Sequence, residues 1–419
     1  MIPVTTGDSL YVYGSFGQQI DYTARLSLKL ADSIDPEMLQ EAVGKTQQRY
    51  PYLSVRLMKN DTGYYYEENP EPVTLHHTSE KICLNSPETN YHIWAVCYNE
   101  DWMYLDIYHG LCDGTGMYML VSTLLYYYCQ ARYGVSDHTG IRTLEDPILP
   151  EESMDPSDFL PQLPPEMLKM PTFPPVFSLV VDGGLTPSEA VIYDIVIPED
   201  AVMQFASEND ASPGTMVSIL MLRAIDRLSP FSFKPKSNTY AVNARPMLGA
   251  LQTHHNCTNS VFFMFDPIRD KSFSEQCTVH RGATFVQSDA EKIRGLMTVS
   301  ASQNRAVKDA PMPLEEKKQI FAKTMALGNT LFTNMVSYIG QWKFTSLSPY
   351  ISEFWTHVPC NGFPVTEIAA VNGSVFLSVH QNFAEDSLIK ALQQELDEIG
   401  ISYQVKPPVK SDIAHFPEP

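Results

Sequence analysis

About a third of the 31 prolines in this 419-residue chain fall between Pro147 and Pro187. Pro164-Pro165 and Pro174-Pro175 exclude the interior of a helix or sheet there, because proline has no backbone N–H to donate and its ring crowds the preceding turn. A single hydrophobic core rarely grows past ~250–300 residues. The chain therefore divides into a unit at 1–135, a crossover linker at 136–187 and a unit at 188–419. Phe159, Phe173 and Phe177 are too apolar for a free tether, so the linker is expected to hug the surface.

Strand and helix patterns alternate in both units, which predicts an α/β fold. In the first unit, Thr23–Ala31 alternates as a strand. A helix follows, with Asp35 as N-cap and Pro36 at its first position, and Pro51 ends it. Leu53–Met58 with Tyr64–Glu68, and Tyr91–Cys97 with Trp102–Tyr108, read as two hairpins. In the second unit, Ala190–Ile197, Thr239–Val242, Val261–Phe265 and Asn334–Ile339 read as strands, and Ser212-Pro213 opens a helix. Residues 273–332 are helical by pattern, with a polar break near Asp309–Pro313. Asn372-Gly373 marks a hairpin joining Pro364–Val371 to Ser374–His380, and a last helix covers Ser387–Ile399 before Gly400.

One strand–helix join carries chemistry. Met103, Leu105 and Ile107 share a face, and period two places His109 on it, so the imidazole is expected to point inward at the strand end. His109 opens the hexad His-Gly-Leu-Cys-Asp-Gly, an H-x-x-x-D-G pattern ending at Gly114. Met117, Leu120, Val121, Leu124, Leu125 and Tyr128 then mark a long amphipathic helix that Gly134 stops. A histidine at such a join titrates near neutrality and suits general-base work. The ordinary alternative is a satisfied core histidine beside Asp113 acting as a plain N-cap. His380 ends the second unit's hairpin much as His109 ends the first, without an Asp-Gly after it, as in a weak internal duplication in which one copy holds the site.

Charge and cysteine usage exclude several classes. A formal charge of −20 argues against nucleic acid and against an anionic membrane surface. Arg269 with Lys271, and Lys317 with Lys318, are the basic groups available for a polyanion, and such pairs usually mark solvated faces. The seven cysteines form no C-x-x-C pair, so neither a zinc ribbon nor a disulfide scaffold is indicated. His76-His77 and His254-His255 are adjacent pairs whose side chains point apart on a strand; they lack a third ligand at metal spacing and read as surface histidines, so no metal site is expected. With no basic-then-apolar leader at Met1–Thr5 and no apolar run long enough to cross a bilayer, a cytoplasmic protein is expected.

The hexad, Arg49-Tyr50-Pro51-Tyr52-Leu53, Ala241-Val242-Asn243-Ala244-Arg245-Pro246 and Val336-Ser337-Tyr338-Ile339-Gly340 occur in that order. Together they resemble the CoA-dependent acyltransferase superfamily, which includes chloramphenicol acetyltransferase, alcohol acetyltransferases, wax-ester synthases and condensation domains. The resemblance runs from the Thr23 strand to the last helix, and the hexad is its most specific part. It implies two similar chloramphenicol-acetyltransferase-like domains, each a mixed sheet with flanking helices, with an active-site tunnel between them. It implies that His109 is the general base in a ternary complex, moving an acyl group, with acetyl the leading case, from a CoA thioester to an alcohol or amine. Asp113 would be structural, with Arg245 as its partner. Gly114 would allow a close backbone approach at the turn, and Asn243 would brace the tunnel or only its own loop. Ser337 would be an oxyanion donor, with an ordinary strand serine as the competing account.

Acyl-CoA would then be a co-substrate with no permanently bound cofactor. The partners would be a small acceptor and, in a condensation-type alternative, an acyl carrier protein. A catalytically degenerate, ligand-binding member is the other alternative, and a monomer is expected. Tyr108 stands where condensation domains and wax-ester synthases usually carry a first histidine, which argues against peptide condensation. No Asp-Phe-Gly-Trp-Gly element occurs, which argues against the plant-type branch.

Overall fold

The computed structural model describes residues 1–168, 174–265, 271–360, 362–410 and 416–419. Arg269 and Phe173 lie outside them. The first unit runs β1 (Ile2–Pro3), α1 (Thr6–Gln18), β2 (Thr23–Leu30), α2 (Pro36–Arg49), β3 (Val55–Asn60), β4 (Gly63–Glu68), β5 (Leu75–His77), β6 (Trp94–Asn99), β7 (Trp102–Tyr108) and α3 (Gly114–Tyr133). The Asp35 carboxylate accepts from the amides of Glu37 and Met38 at the head of α2, and Gly134, at φ 71°, ends α3. The linker is a series of short turns, each opened by a proline at 150, 156 or 165.

The second unit continues with β8 (Pro187–Pro198), α4 (Glu199–Glu208), α5 (Pro213–Leu228), β9 (Lys236–Asn243), α6 (Arg245–Leu248), β10 (Thr258–Phe265), α7 (Phe273–Gln287), α8 (Ala290–Lys308) and α9 (Leu314–Asn329). Then come β11 (Asn334–Gln341), β12 (Ile351–His357), β13 (Val365–Val371), β14 (Ser374–Phe383), α10 (Ser387–Glu398), β15 (Gln404–Val405) and β16 (Val409–Lys410). Asn372 and Gly373 both adopt positive φ in the β13–β14 turn, the geometry of a tight hairpin.

Two large mixed sheets carry the architecture. One has the order β10-β9-β11-β13-β14-β8-β15, and the other β12-β2-β7-β6-β5. The second sheet departs from the expectation of a unit confined to 188–419. Its edge strand β12 comes from the far half of the chain and pairs antiparallel with β2, from Ile351 opposite Leu30 to His357 opposite Arg25. The two halves are thus stitched together by backbone hydrogen bonds.

Each sheet has its own core. Leu26, Leu28, Leu105 and Ile107 pack with Leu120, Leu124 and Leu125 of α3 in one, and Ile195, Ile197, Leu220, Ile368 and Leu377 form the other. β13 and β14 present both faces to apolar partners: Ile368, Ala370 and Leu377 join the second core, while Ala369, Val371 and Phe376 join the first.

Helix α1 has no counterpart among the elements expected from sequence. Its three glycines weaken helix propensity, yet all three sit in close tertiary contacts, two of them against α9. A Cβ at Gly14 would lie 2.2 Å from the Met325 sulfur, and one at Gly17 would lie 2.5 Å from the Lys318 carbonyl oxygen, so α1 seats directly on α9. Lys317 and Lys318, expected on a solvated face, are buried beneath this contact. Lys317 Nζ donates to the Lys308 carbonyl, and Lys318 Nζ pairs with Glu315 and Glu418. No described helix is long and apolar enough to cross a membrane.

Candidate active site

The hexad occupies the turn between β7 and α3. The His109 amide donates to the Tyr22 carbonyl at 2.7 Å, which continues the β2–β7 ladder by one bond and fixes where the ring starts. The imidazole is half-buried. Its centroid lies 5.0 Å from that of Tyr22 and 6.3 Å from that of Tyr11. Nδ1 is closed off, with no other residue bonding it; the ring's contact with its own backbone carbonyl is what remains. Nε2 is left as the nitrogen that can meet a second molecule. Burial lowers the His109 pKa below its usual value, against weaker upward pulls from that carbonyl and from Asp113. The ring is thereby neutral, and able to accept a proton, near neutral pH.

Asp113 caps α3, with Oδ1 accepting from the Gly116 amide at 3.1 Å. The same carboxylate forms a bidentate pair with Arg245 at 2.7 and 2.8 Å, across 132 residues of sequence. The Cys257 amide adds a bond of 3.0 Å and the Thr258 hydroxyl one of 3.3 Å. Burial alone would raise the Asp113 pKa, but the guanidinium and the amides outweigh it and hold the carboxyl below the usual range. Arg245 in turn donates to the carbonyls of Thr253 and His255. Asn243 Oδ1 accepts from both the Arg245 amide and its Nη1. Asn243 therefore braces the loop that carries the arginine.

The close backbone approach expected at Gly114 falls elsewhere. A Cβ at Gly114 would make only an ordinary contact with Ile339 at 3.6 Å. At Gly116 it would lie 2.3 Å from the His254 carbonyl oxygen, and at Gly110 2.5 Å from the Tyr108 ring. Tyr108 itself turns into the first core, bonded to Ser15 at 3.2 Å and stacked on Phe416. Ser337 sits on β11, facing Glu367 of β13. Arg49 and Tyr52 both bond to the Glu152 carboxylate, at 2.9 and 2.6 Å, so this stretch anchors the linker to the first unit.

The reading of His254 and His255 as surface histidines is corrected by their burial. They lie on a loop, not a strand, and their rings are 4.0 Å apart. His254 is kept neutral by burial and by its charged neighbour. His255 Nδ1 donates to Asp8 at 2.6 Å and Nε2 to the Ser153 carbonyl at 3.1 Å. Asp8, Asp155 and His255 bring their ligand atoms within 4.8 Å of one another, but both imidazole nitrogens are taken by these bonds. The cluster is an ion-paired clasp that ties α1, the linker and the second unit together.

The clasp sets a pH dependence. Burial opposes charge on His255, but Asp8 outweighs it and holds the pKa up to about 9; in the unfolded chain it returns to about 6.5. A folded-state pKa raised in this way gives stability that is full below about 6.5 and is lost as pH rises through about 9. Thermal midpoints are expected to fall across that window in the wild type, and the slope should flatten in His255→Gln. An equally steep slope in the variant would assign it to other groups.

No family model matches this sequence, and no curated protein does. The fold, by contrast, is shared with solved structures along nearly the whole chain. Among solved structures the chain is similar to F. sporotrichioides TRI101 complexed with coenzyme A and T-2, at TM-score 0.63 and 12% identity over 94% of this chain and 98% of that one. It is also similar to polyketide synthase associated protein 5 from Mycobacterium tuberculosis, at TM-score 0.60 and 13% identity over 94% and 98% of the two chains. The first condensation domain of the calcium-dependent antibiotic synthetase matches at TM-score 0.60 and 12% identity over 95% of each chain.

Proposed function

We propose that this protein is an acyltransferase that moves an acyl group, with acetyl the leading case, from a CoA thioester to an alcohol or amine in a ternary complex. The observation that carries the reading is His109: a neutral imidazole with one nitrogen closed off and the other available, on a turn locked across the two halves by Asp113–Arg245. Nε2 takes the proton from the acceptor hydroxyl or amine as that group attacks the thioester carbonyl. The Ser337 hydroxyl donates to the oxygen that becomes negative. Collapse breaks the carbon–sulfur bond, and the departing CoA thiolate takes the proton back from Nε2. The acyl group passes directly between substrates, which need to reach the ring through a tunnel between the sheets. Asp113, Arg245 and Asn243 hold the turn and its facing loop, and the acceptor of an alcohol O-acetyltransferase is the leading case.

The test is thiol release from acetyl-CoA and longer acyl-CoAs across a panel of alcohols and amines, followed with a thiol-reactive dye. Acceptor-dependent release supports the reading. The likeness to a condensation domain makes an acylated carrier protein the second donor to try. Turnover with that donor alone would replace the CoA reading, and a tightly held ligand without turnover from either donor would replace catalysis with binding.

A further inference from the structure

In the sheet that contains β13, the wall facing the first unit carries a carboxyl group outside the hexad and its lock. Glu367 lies in the middle of β13, buried, between two cross-strand neighbours, Ser337 on β11 and Ser378 on β14. Ser337 stands directly opposite it in the β11–β13 register, on the same face, and the Thr356 hydroxyl of β12 donates to Oε2 at 3.2 Å. Ala369, Val371 and Phe376 on the same wall pack into the first core, which fixes the direction it faces. Immediately beyond Ser337 the β11–β13 register slips at Ile339, and Gly340 takes φ 106°. This bulge turns Ile339 onto Gly114 at the head of the hexad helix. Bulges of this kind re-aim side chains beside functional sites.

None of the groups packed around Glu367 bonds to it as a counter-charge. β11 gives Ser337, and β12 gives Thr356 and His357. β14 gives Ser378 and His380, and β8 lies behind with Asp194. Ser378 donates to Asp194 at 2.7 Å, and His357 contacts the same carboxylate at 3.3 Å, so those groups satisfy one another. His380 is kept neutral by burial, with His357 and Lys81 adding to the effect. Among the described residues no guanidinium or ammonium bonds to Glu367. A buried carboxylate with only hydroxyl partners is costly, and the group takes up a proton instead. Burial raises the Glu367 pKa to about 7, against the opposing pull of the Ser337 and Thr356 hydroxyls.

A serine hydroxyl has one proton to give. We propose that Glu367 is a positioning residue for acyl transfer: as the neutral acid it donates to Ser337 Oγ and frees the serine's own O–H for the thioester oxygen, and as the carboxylate it accepts that O–H and withholds it. This rests on the acyltransferase reading above and adds a proton-controlled oxyanion donor to it. His109 then sets the acid limb of the pH–rate profile, where it must lose its proton, and Glu367 sets the alkaline limb.

The profile of kcat is measured on the full chain with acetyl-CoA and the best acceptor, for wild type, E367Q, E367A and S337A. Glutamine remains a donor at every pH, so E367Q should keep the acid-side rate and lose the alkaline limb near neutrality. S337A should fall by about 10²–10³-fold, the usual cost of one oxyanion donor, with E367A falling toward it. An E367Q profile that keeps the limb, or an E367A rate equal to wild type beside an impaired S337A, overturns the proposal.

Infrared difference spectroscopy across neutral pH gives a readout that needs no turnover. A protonated-carboxyl band that is missing in E367Q and displaced in S337A is expected. No such band in the wild type overturns the proposal whatever the kinetics. The band present without transfer from any thioester counts instead against the acyltransferase reading.

Discussion

His109→Ala should lower acyl transfer by about 10²–10⁴-fold, the usual contribution of a positioned general base, with little change in the thermal midpoint. The reasoning is local. The ring is half-buried, its Nδ1 bonds no other residue, and its neighbours are the faces of Tyr11 and Tyr22. Removing it breaks no bond that holds the fold. The strand-end bond from the His109 amide to Tyr22 uses the backbone and survives the change. Stability within about 1 kcal/mol of wild type is expected for such a site. Turnover by initial rates and stability by urea denaturation on the same preparation decide the matter. Wild-type rates in the variant would remove His109 from the chemistry, and loss of the fold would make it a structural residue.

The opposite pattern is expected at the lock. Arg245 and Asp113 are both almost fully buried, with side chains 1% and 2% exposed. Arg245→Ala would leave the Asp113 carboxylate in the interior with only amide and hydroxyl donors, and would release the carbonyls of Thr253 and His255. Removing one partner of a buried pair typically costs about 3–5 kcal/mol. Asp113→Asn should cost less, because the amide keeps an oxygen for the Gly116 cap or for Arg245, though not for the full set. Urea midpoints should therefore fall for both variants, with Arg245→Ala the lower, while folded protein retains more turnover than His109→Ala. A wild-type midpoint in Arg245→Ala would show that the pair contributes nothing to stability, and the turn would then need another explanation for its shape.

These two sites differ in how far they could be read from the sequence. The hexad is contiguous and lies between two strong periodic patterns, so its place at a strand–helix join follows from spacing alone. Asp113 as a cap likewise needs only its neighbours. Arg245 and Asn243 were suggested by resemblance, and no local rule places them against a residue 132 positions away. Glu367 sits in an apolar strand where only its charge is unusual, and its partners lie on three other segments. Tyr11 carried no signal because α1, weakened by glycine, does not announce itself as a helix. His254 and His255 looked exposed because adjacent histidines on a strand would point apart. The chain instead leaves the strand there, and folds both rings beneath the linker.

What the sequence by itself determined was local: periodicity, caps and turn residues set most of the strands and helices, and one six-residue motif marked a strand–helix join. The tertiary structure alone decided that β12 crosses into the other sheet, that Arg245 reaches Asp113, and that Glu367 lies directly across from Ser337. The physical reason is range. Backbone preferences act over a few residues, whereas burial and charge pairing act between whichever segments the packed cores bring together.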